Sequence, residues 1–315
     1  MNEYLIIGPA SPWRGGIAET ANSLVDELEA DVVTFSTWPG QHPKRTPTMI
    51  INPYNPLTWK SWDYETVVFQ YWHPVSVILA SIARRSGKRT VGIFHNAYPH
   101  EHTQAEYFAL KYALSCADGV VCFSDFVGKQ LHRPYRRTLL PPFKSLSPAI
   151  PKREAQRLLK WKGKNILFFG NRRDYKGLEM LNATRFLLHD PGINIQVVGG
   201  HYGDGANWVD DPTYYFSAAD AVIIPYTSAT QSAVIPMAFH YGKPVITTDV
   251  GGLTEYVTDG VNGIVSKPTS TDLARSIFKF YELGYEKHLS KGARAYNGNW
   301  MHVASAIRDS AEQQK

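Results

Sequence analysis

Long apolar runs are missing from this sequence, and cysteine is scarce. No run approaches the roughly 20 apolar residues that a membrane-spanning helix needs. The chain begins with an acid at Glu3 and no basic region before its first apolar stretch, which is unlike a signal peptide. Cys116 and Cys122 are the two cysteines of the chain, and we expect both to be buried thiols in a reducing compartment. These features predict a cytoplasmic protein, soluble or at most associated with a membrane surface.

Extremes of composition are also absent. The 315 residues are 43% hydrophobic and 19% charged, and the 24 glycines and 20 prolines are spread along the chain. The net charge of +5 is modest and gives no reason to expect a nucleic-acid partner. No internal repeat or low-complexity segment is present. The length exceeds that of a typical single hydrophobic core and fits two domains.

The sequence does contain a regular alternation of short apolar runs and helical patterns, which indicates parallel sheets built from βα units. In the first half, strands are predicted at residues 4–7, 31–35, 66–70, 90–94 and 119–123, with helices at 17–28, 75–83 and 104–115. In the second half, strands are predicted at 165–169, 194–198, 221–224 and 244–247, with helices at 178–187, 233–241 and 271–281. The sequence therefore predicts an α/β protein of two doubly wound, Rossmann-like domains.

Proline marks the expected boundary between these domains. Leu140–Pro151 has four prolines and no periodicity, which is typical of an interdomain linker. We expect an N-terminal domain over residues 1–141, a linker over 142–163 and a C-terminal domain over 164–299. A final helix within 300–315 either stays on the second domain or packs back on the first.

Polar residues cluster in the loops after the predicted strands, where open parallel sheets bind ligands. Gly15 and Gly16 open the first helix and allow close approach of an anion or a sugar hydroxyl, although a tight strand–helix turn also explains them. The spacing is not G-x-G-x-x-G, so a dinucleotide is poorly supported. His95 follows a later strand and is expected to orient a hydroxyl. Its neighbours in His100–His102 lack a standard metal-site spacing, and a metal cluster is the alternative interpretation.

The second half carries a basic loop, GNRRDYKGLEML. Arg172, Arg173 and Lys176 crowd the start of a predicted helix, where positive side chains oppose the helix dipole. A bound phosphate would account for this placement, because guanidinium and ammonium groups neutralise its oxygens. A solvated basic turn is the alternative.

Two further loops of the second half offer ligand-binding groups. The candidates are Thr230, Gln231 and Ser232 before a predicted helix, and Gly251, Gly252 and Glu255 after the next strand. The first three supply hydroxyls and an amide, either to a second phosphate-compatible site or as helix caps. The two glycines allow a close-approach turn, and the glutamate either binds a ligand or caps locally.

The chain resembles the family 4 glycosyltransferases through five segments: GGIAE, HNAYPHE, FSDF, GNRRDYKGLEML and GKPVITTDVGGLTEYVTDGVNG. The resemblance covers nearly the whole chain and implies the GT-B fold of two facing Rossmann-like domains. It implies a retaining enzyme that transfers a sugar from a nucleotide-sugar donor, usually with no bound metal and no other cofactor. The donor diphosphate would lie on the second domain. The acceptor, which is a glycan, a lipid-linked molecule or a small molecule, would lie on the first.

The resemblance also implies roles for individual residues. The phosphate-binding arginine and lysine correspond to Arg173 (or Arg172) and Lys176, and the histidine of the catalytic cleft corresponds to His95. The glycine-rich turn of the first domain falls on Gly15 and Gly16, and the acid after the Gly-Gly turn falls on Glu255.

One departure from the family concerns two glutamates, seven residues apart, that commonly hold the donor sugar and the ribose. Their positions are occupied here by Thr230 and Met237. A thioether is only a weak acceptor, so Thr230 and Gln231 are the expected substitutes. Two alternatives to a transferase therefore stay open. They are an epimerase-like enzyme acting on sugar nucleotides and a non-catalytic protein that binds them.

A basic segment extends from Arg133 to Lys164, with ten lysines or arginines against the single acid Glu154. One interpretation is a solvated linker and domain edge. The other is docking on an anionic membrane surface, where a lipid-linked acceptor would lie.

Overall fold

The chain folds into two compact units, each built on a parallel sheet. The structure is a computed structural model that describes residues 3–9, 15–33, 64–71, 74–97, 104–188, 190–200, 209 and 211–312. The first unit consists of Met1–Ser145 and Gly298–Lys315, and the second consists of Leu146–Asn297. The predicted α/β class with two doubly wound sheets is confirmed.

The first unit contains a six-stranded sheet. Its strands are β1 (Tyr4–Ile7), β2 (Asp31–Val33), β3 (Thr66–Tyr71), β4 (Arg89–Phe94), β5 (Gly119–Cys122) and β6 (Arg136–Arg137). Its helices include α1 (Gly16–Leu28), α2 (Pro74–Arg85), α3 (Gln104–Ser115) and α4 (Asp125–Gln130). The strand order is β2-β1-β3-β4-β5-β6, and the pairing is parallel throughout. Strand β1 is buried on both faces, as expected where helices cover a parallel sheet on two sides.

The C-terminal helix (Trp300–Glu312) belongs to the first unit. The indole Nε1 of Trp300 donates to Pro142 O at 2.7 Å, and Arg308 donates to Glu27 O at 2.5 Å. A Cβ at Gly119 would lie 2.5 Å from Ser310 O, so glycine in β5 allows the helix to approach the strand closely. The sequence left open whether this helix packs on the first or the second unit. In the structure it packs on the first.

The second unit contains a five-stranded sheet. Its strands are β7 (Lys164–Phe169), β8 (Ile193–Val198), β9 (Ala221–Ile224), β10 (Val245–Thr248) and β11 (Gly263–Ser266). Its helices are α5 (Lys152–Leu159), α6 (Leu178–Leu187), α7 (Thr213–Ala218), α8 (Val234–His240), α9 (Ser270–Glu282) and α10 (Tyr285–Arg294) among the described residues. The strand order is β11-β10-β9-β7-β8, again parallel throughout.

The segment between the units differs from the expected linker. The boundary lies between Ser145 and Leu146, and residues 152–159, expected within the linker, form helix α5. The last proline of the segment, Pro151, stands at the N-cap of this helix, with a φ of −57° that agrees with the value fixed by its ring. The helix buries Ala155 and packs against α7, so these residues are part of the second unit's fold.

Buried charge holds the amino-terminal edge of the second sheet together. Asp220 is 4% exposed; its carboxylate accepts from Asn165 N at 2.6 Å and from the Tyr281 hydroxyl at 3.0 Å, and it pairs with Lys152. Lys243, from the GKPV segment, donates to two backbone carbonyls at this same edge. Burial lowers the pKa of Lys243 to about 8. This part of the family-like segment therefore has a structural role.

Candidate functional site

The site candidates of the second unit lie where the winding of its sheet reverses. Strand β7 has β8 on one side and β9 on the other. The order in which strands are added to the sheet therefore reverses between β7 and β9. Open α/β sheets bind ligands beyond the carboxyl ends of strands at such a point. The loops after these two strands are in contact: Thr227 N, after β9, donates a hydrogen bond to Tyr175 O, after β7, at 2.8 Å.

Glycines shape the basic loop after β7. Gly177 has a φ of 70°, and a Cβ at this position would lie 1.8 Å from Pro225 O. Only glycine can therefore bring this turn so close to the loop after β9. The intervening Asp174–Lys176 forms a single 3-10 turn that ends at Gly177. This turn directs Lys176 toward the carboxyl edge of β7.

Lys176 is a partly buried cation held against backbone and aromatic surface. Its Nζ lies 5.6 Å from the ring centroid of Tyr226 and 2.9 Å from where a Cβ of Gly170 would be. Burial lowers the pKa of Lys176; Tyr175 raises it and Arg173 lowers it further. Within the described part of the chain, no carboxylate forms an ion pair with this ammonium. The loop thus holds a desolvated positive charge without a negative partner.

The two arginines of the loop have different surroundings. Arg172 is half-buried, and its Nε donates to Gly199 O at 3.1 Å, which ties the guanidinium to the loop after β8. Arg173 is exposed at the start of the 3-10 turn. The guanidinium of Arg173 is thus more exposed to solvent than that of Arg172. Its positive charge contributes to the lowered pKa of Lys176.

Tyr226 is a central residue that the sequence analysis missed. It is 3% exposed, forms an edge-to-face contact with Tyr175 at 5.8 Å and is hydrogen-bonded to Ser232. Burial raises its pKa to about 12. Its position directly after an apolar strand and a proline was the available signal. Its ring connects Lys176 of one loop with Ser232 of the next.

Gln231 is a candidate with an unused hydrogen-bonding atom. Its Oε1 is buried and accepts no hydrogen bond from the described residues. Thr230 beside it is partly buried. Met237, at the second position of the missing glutamates, lies in helix α8 and is 9% exposed. The Gln231 amide oxygen is thus a buried polar acceptor that this loop offers.

The Gly-Gly turn after β10 packs on protein backbone. Gly251 has a φ of 54°, and a Cβ there would lie 1.6 Å from Ala229 O, while Gly252 N donates to the same oxygen at 3.3 Å. Glycine is needed here for the two loops to meet. Glu255 is partly buried at the end of the 3-10 turn Leu253–Glu255, one turn after the glycines.

His95 is the main candidate of the first unit. It follows β4, is 5% exposed and packs on Phe123 with ring centroids 5.3 Å apart. Burial lowers its pKa to about 4, so the imidazole is neutral near pH 7. Its Nε2 lies 2.8 Å from Gln70 Oε1. Because an amide oxygen can only accept, the imidazole proton is on Nε2.

Gln70 is a second residue that the sequence analysis missed. It lies in β3, between β1 and β4, and is fully buried. Its Nε2 has no hydrogen-bond partner among the described residues and lies 3.0 Å from where a Cβ of Gly8 would be. Strand β1 has β2 on one side and β3 on the other, so the order of the strands reverses between β1 and β3. Gln70, in β3, therefore lies at the switch point of the first sheet.

Of the remaining candidates of the first unit, the structure describes Gly15 and Gly16 only. Gly15 caps helix α1 with a φ of 122°, a conformation that favours glycine, and Gly16 begins the helix. The residues His100–His102 lie outside the described residues. No group of histidine, cysteine or acidic side chains suited to a metal ion is found in the part of the chain that the structure describes.

The basic segment from Arg133 to Lys164 is not a continuous charged surface. Arg133 donates to backbone carbonyls at the end of α3, and Lys144 pairs with two acids of α1. Lys152 pairs with buried Asp220, and Lys164 pairs with Asp190 at 2.8 Å. The segment also divides between the two units, and these four of its ten basic residues stabilise one unit or the other.

Comparison with known proteins identifies the second unit. Residues 163–282 match the family model of the glycosyl transferases group 1. This part of the chain is therefore similar to the group 1 glycosyltransferases. It contains all the candidates of the second unit: Arg172, Arg173, Lys176, Thr230, Gln231, Ser232, Gly251, Gly252 and Glu255. The prediction of a glycosyltransferase is thereby confirmed at the level of the family.

One relative and two solved structures show further similarity to this chain. An uncharacterised glycosyltransferase of Methanocaldococcus jannaschii is 24% identical over 195 residues, which are 56% of this chain. The match spans 53% of that relative, about half its length. Sucrose-phosphate synthase from Thermosynechococcus elongatus has a TM-score of 0.77 at 18% identity, over 99% of both chains. HepE of Anabaena, solved with UDP-glucose, has a TM-score of 0.75 at 18% identity, over 99% of this chain and 97% of its own. These structural likenesses confirm the predicted GT-B fold.

Proposed function

We propose that the protein is a retaining glycosyltransferase that takes a sugar from a nucleotide-sugar donor. The observation that carries this proposal is the desolvated, unpaired ammonium of Lys176 at the switch point of the second unit. A partly buried cation without a counter-ion is costly to the folded state. A diphosphate at this edge would supply the missing negative charge.

The roles of the second unit follow from the charge that develops as the donor reacts. The bond between the anomeric carbon and the diphosphate oxygen breaks, and the same carbon forms a bond to an acceptor hydroxyl oxygen. The nucleoside diphosphate leaves with increased negative charge and takes up the proton of that hydroxyl. Lys176 and Arg173 would stabilise that charge electrostatically. The Gln231 Oε1 would accept a hydrogen bond from a hydroxyl of the donor, which replaces one family glutamate by an uncharged acceptor.

The first unit would contribute His95 to the reacting sugar. Its imidazole is neutral and protonated on Nε2 toward Gln70, which leaves Nδ1 as an acceptor for a hydroxyl. We propose that the acceptor substrate is a glycan, a lipid-linked molecule or a small molecule and that the reaction takes place in the cytoplasm. No metal or other cofactor is included in this proposal.

The donor can be tested first with UDP-glucose, because HepE was solved in complex with this compound. Calorimetry would measure the binding of UDP and UDP-glucose, and mass spectrometry would then identify products in mixtures with candidate acceptors. Lys176→Ala is expected to lower turnover by about 100-fold or more, since it removes one electrostatic contact to the leaving group. Lys287→Ala, an exposed lysine of α10 in the same unit, is the matched control.

The outcomes separate the proposal from its rivals. Conversion of the donor sugar without an acceptor would indicate an epimerase-like enzyme, and binding without any turnover would indicate a non-catalytic protein. Near-normal activity of a folded Lys176→Ala variant would refute the phosphate assignment.

A further inference from the structure

Helix α3 presents an aromatic face to solvent. Tyr107, Phe108 and Tyr112 are 42%, 67% and 46% exposed. Their spacing places them on one side of the helix, together with Lys111. The opposite side, with Leu110 among others, is buried in the core of the first unit. An exposed group of three large aromatic side chains on one helix face is unusual for a surface that contacts only water.

Helix α2 extends this surface. Ile78 is 51% exposed, and the hydroxyl of Tyr112 donates to Ser81 Oγ at 2.8 Å, which joins the two helices. A pocket of about 450 Å³ lies between them, lined by Ser81, Arg84, Arg85, Tyr112, Ser115 and Cys116. We call the exposed side of α2 and α3, with this pocket, the α2–α3 face.

The charge of the α2–α3 face is positive. Arg85 is exposed and forms no ion pair among the described residues, and Lys111 Nζ lies 4.5 Å from the Tyr107 ring centroid. Arg84 is held by Asp118 at 2.9 Å and by a backbone carbonyl, which fixes its guanidinium at the pocket. Helix α2 contains no acidic residue, and helix α3 contains one, Glu106, in its first turn.

We propose that the α2–α3 face docks on an anionic lipid bilayer. Aromatic side chains with polar tips favour the boundary between headgroups and acyl chains, and flanking basic residues are attracted to lipid phosphates. The pocket between Arg84 and Arg85 would receive a phosphate of a lipid headgroup. Charge complementarity favours an anionic bilayer as the occupant, because the face combines apolar aromatic groups with the cations Arg85 and Lys111, which form no ion pair among the described residues, while Asp118 is already paired with Arg84.

The contact would be interfacial. Among the described residues, no helix is long and apolar enough to cross a membrane. This surface is also separate from the segment Arg133–Lys164, in which Arg136, Lys144, Lys152 and Lys164 form ion pairs. The inference does not depend on the proposed transfer reaction, since it concerns a face of the first unit only.

The test is sedimentation of the whole protein with vesicles of phosphatidylglycerol and phosphatidylcholine, compared with phosphatidylcholine alone, at low salt. The double variant Arg85→Glu/Lys111→Glu should bind anionic vesicles about 25-fold more weakly or worse, at roughly fivefold for each basic charge lost. The variant Tyr107→Ser/Phe108→Ser should lower binding by about tenfold through lost apolar contact.

The matched control is Arg153→Glu/Arg157→Glu on α5, which changes the net charge by the same amount on exposed residues of the basic segment. It should bind vesicles within about twofold of the unaltered protein, since charge away from the contact surface acts weakly. Thermal unfolding of each variant would verify its fold.

Three results would overturn the proposal. One is an unaltered protein that sediments no more with anionic vesicles than with phosphatidylcholine. Another is an equal loss of binding in the α5 control, which would assign the attraction to net charge or to the basic segment. The third is a dimer in analytical ultracentrifugation that Tyr107→Ser/Phe108→Ser dissociates, because the face would then be covered by a second copy of the chain.

Discussion

Acidification tests whether His95 is neutral and buried as the structure has it. In the unfolded chain a histidine titrates near its ordinary pKa of 6.5, whereas burial lowers the pKa of His95 to about 4. Between these values the unfolded chain binds a proton that the folded protein does not. The stability that His95 contributes is therefore complete above about pH 6.5 and is lost as the pH falls toward about 4.

The size of the effect follows from the same two pKa values. Their difference corresponds to about 3 kcal/mol of unfolding free energy between about pH 6.5 and pH 4. Carboxylates titrate in this range as well, so the comparison must be made with His95→Asn, which cannot titrate there. Urea unfolding of both proteins at several pH values would give the difference.

Proton NMR gives an independent reading. The chain has 11 histidines, and the signal absent from His95→Asn identifies the one of interest. Gln70→Glu should raise the pKa of His95, because a carboxylate would replace the amide oxygen 2.8 Å from Nε2. The reasoning is refuted if His95 titrates near its ordinary value in the unaltered protein, or if His95→Asn loses as much stability on acidification.

Two further predictions concern residues that stabilise the fold of the second unit. Gly177→Ala should cost several kcal/mol and lower donor binding, because its Cβ would meet Pro225 O at 1.8 Å and displace the loop that holds Lys176. Gly284→Ala has a similar positive φ of 62° but open space around it, so it should cost only about 1 kcal/mol in the same urea titration. Asp220→Asn should destabilise the second unit by about 3 kcal/mol in thermal or urea unfolding, because it removes the charge opposite Lys152; an unchanged midpoint would contradict this.

The alternation of apolar runs and helical patterns was enough to predict most strands and helices. The predicted strand at 221–224 and the predicted helices at 104–115 and 178–187 have the same bounds in the structure. Shorter elements, such as β6 (Arg136–Arg137) and helix α5, were missed. A two-residue strand has no periodicity to detect. The helix begins directly after Pro151, and the prolines before it made the whole segment resemble a linker.

The candidate site was predictable only in part, for a related reason. Lys176 stood out because it is a cation beside glycines at a helix start. Tyr226 and Gln70 did not, because each resembles an ordinary residue at the end of a strand. Gly251 forms the expected close-approach turn, in this case against Ala229 O, and its part in donor binding stays a prediction.

The sequence by itself determined the α/β class, the two doubly wound units and the loops in which ligand-binding groups are found. These features depend on local periodicity and on turn residues, which a linear pattern records. The tertiary structure alone decided which loops meet. Gln70 and His95 lie 25 positions apart and become neighbours because β3 and β4 pair in parallel. Lys176 and Tyr226 meet because β7 and β9 are adjacent, and it is the burial created by that pairing that lowers the pKa of Lys176.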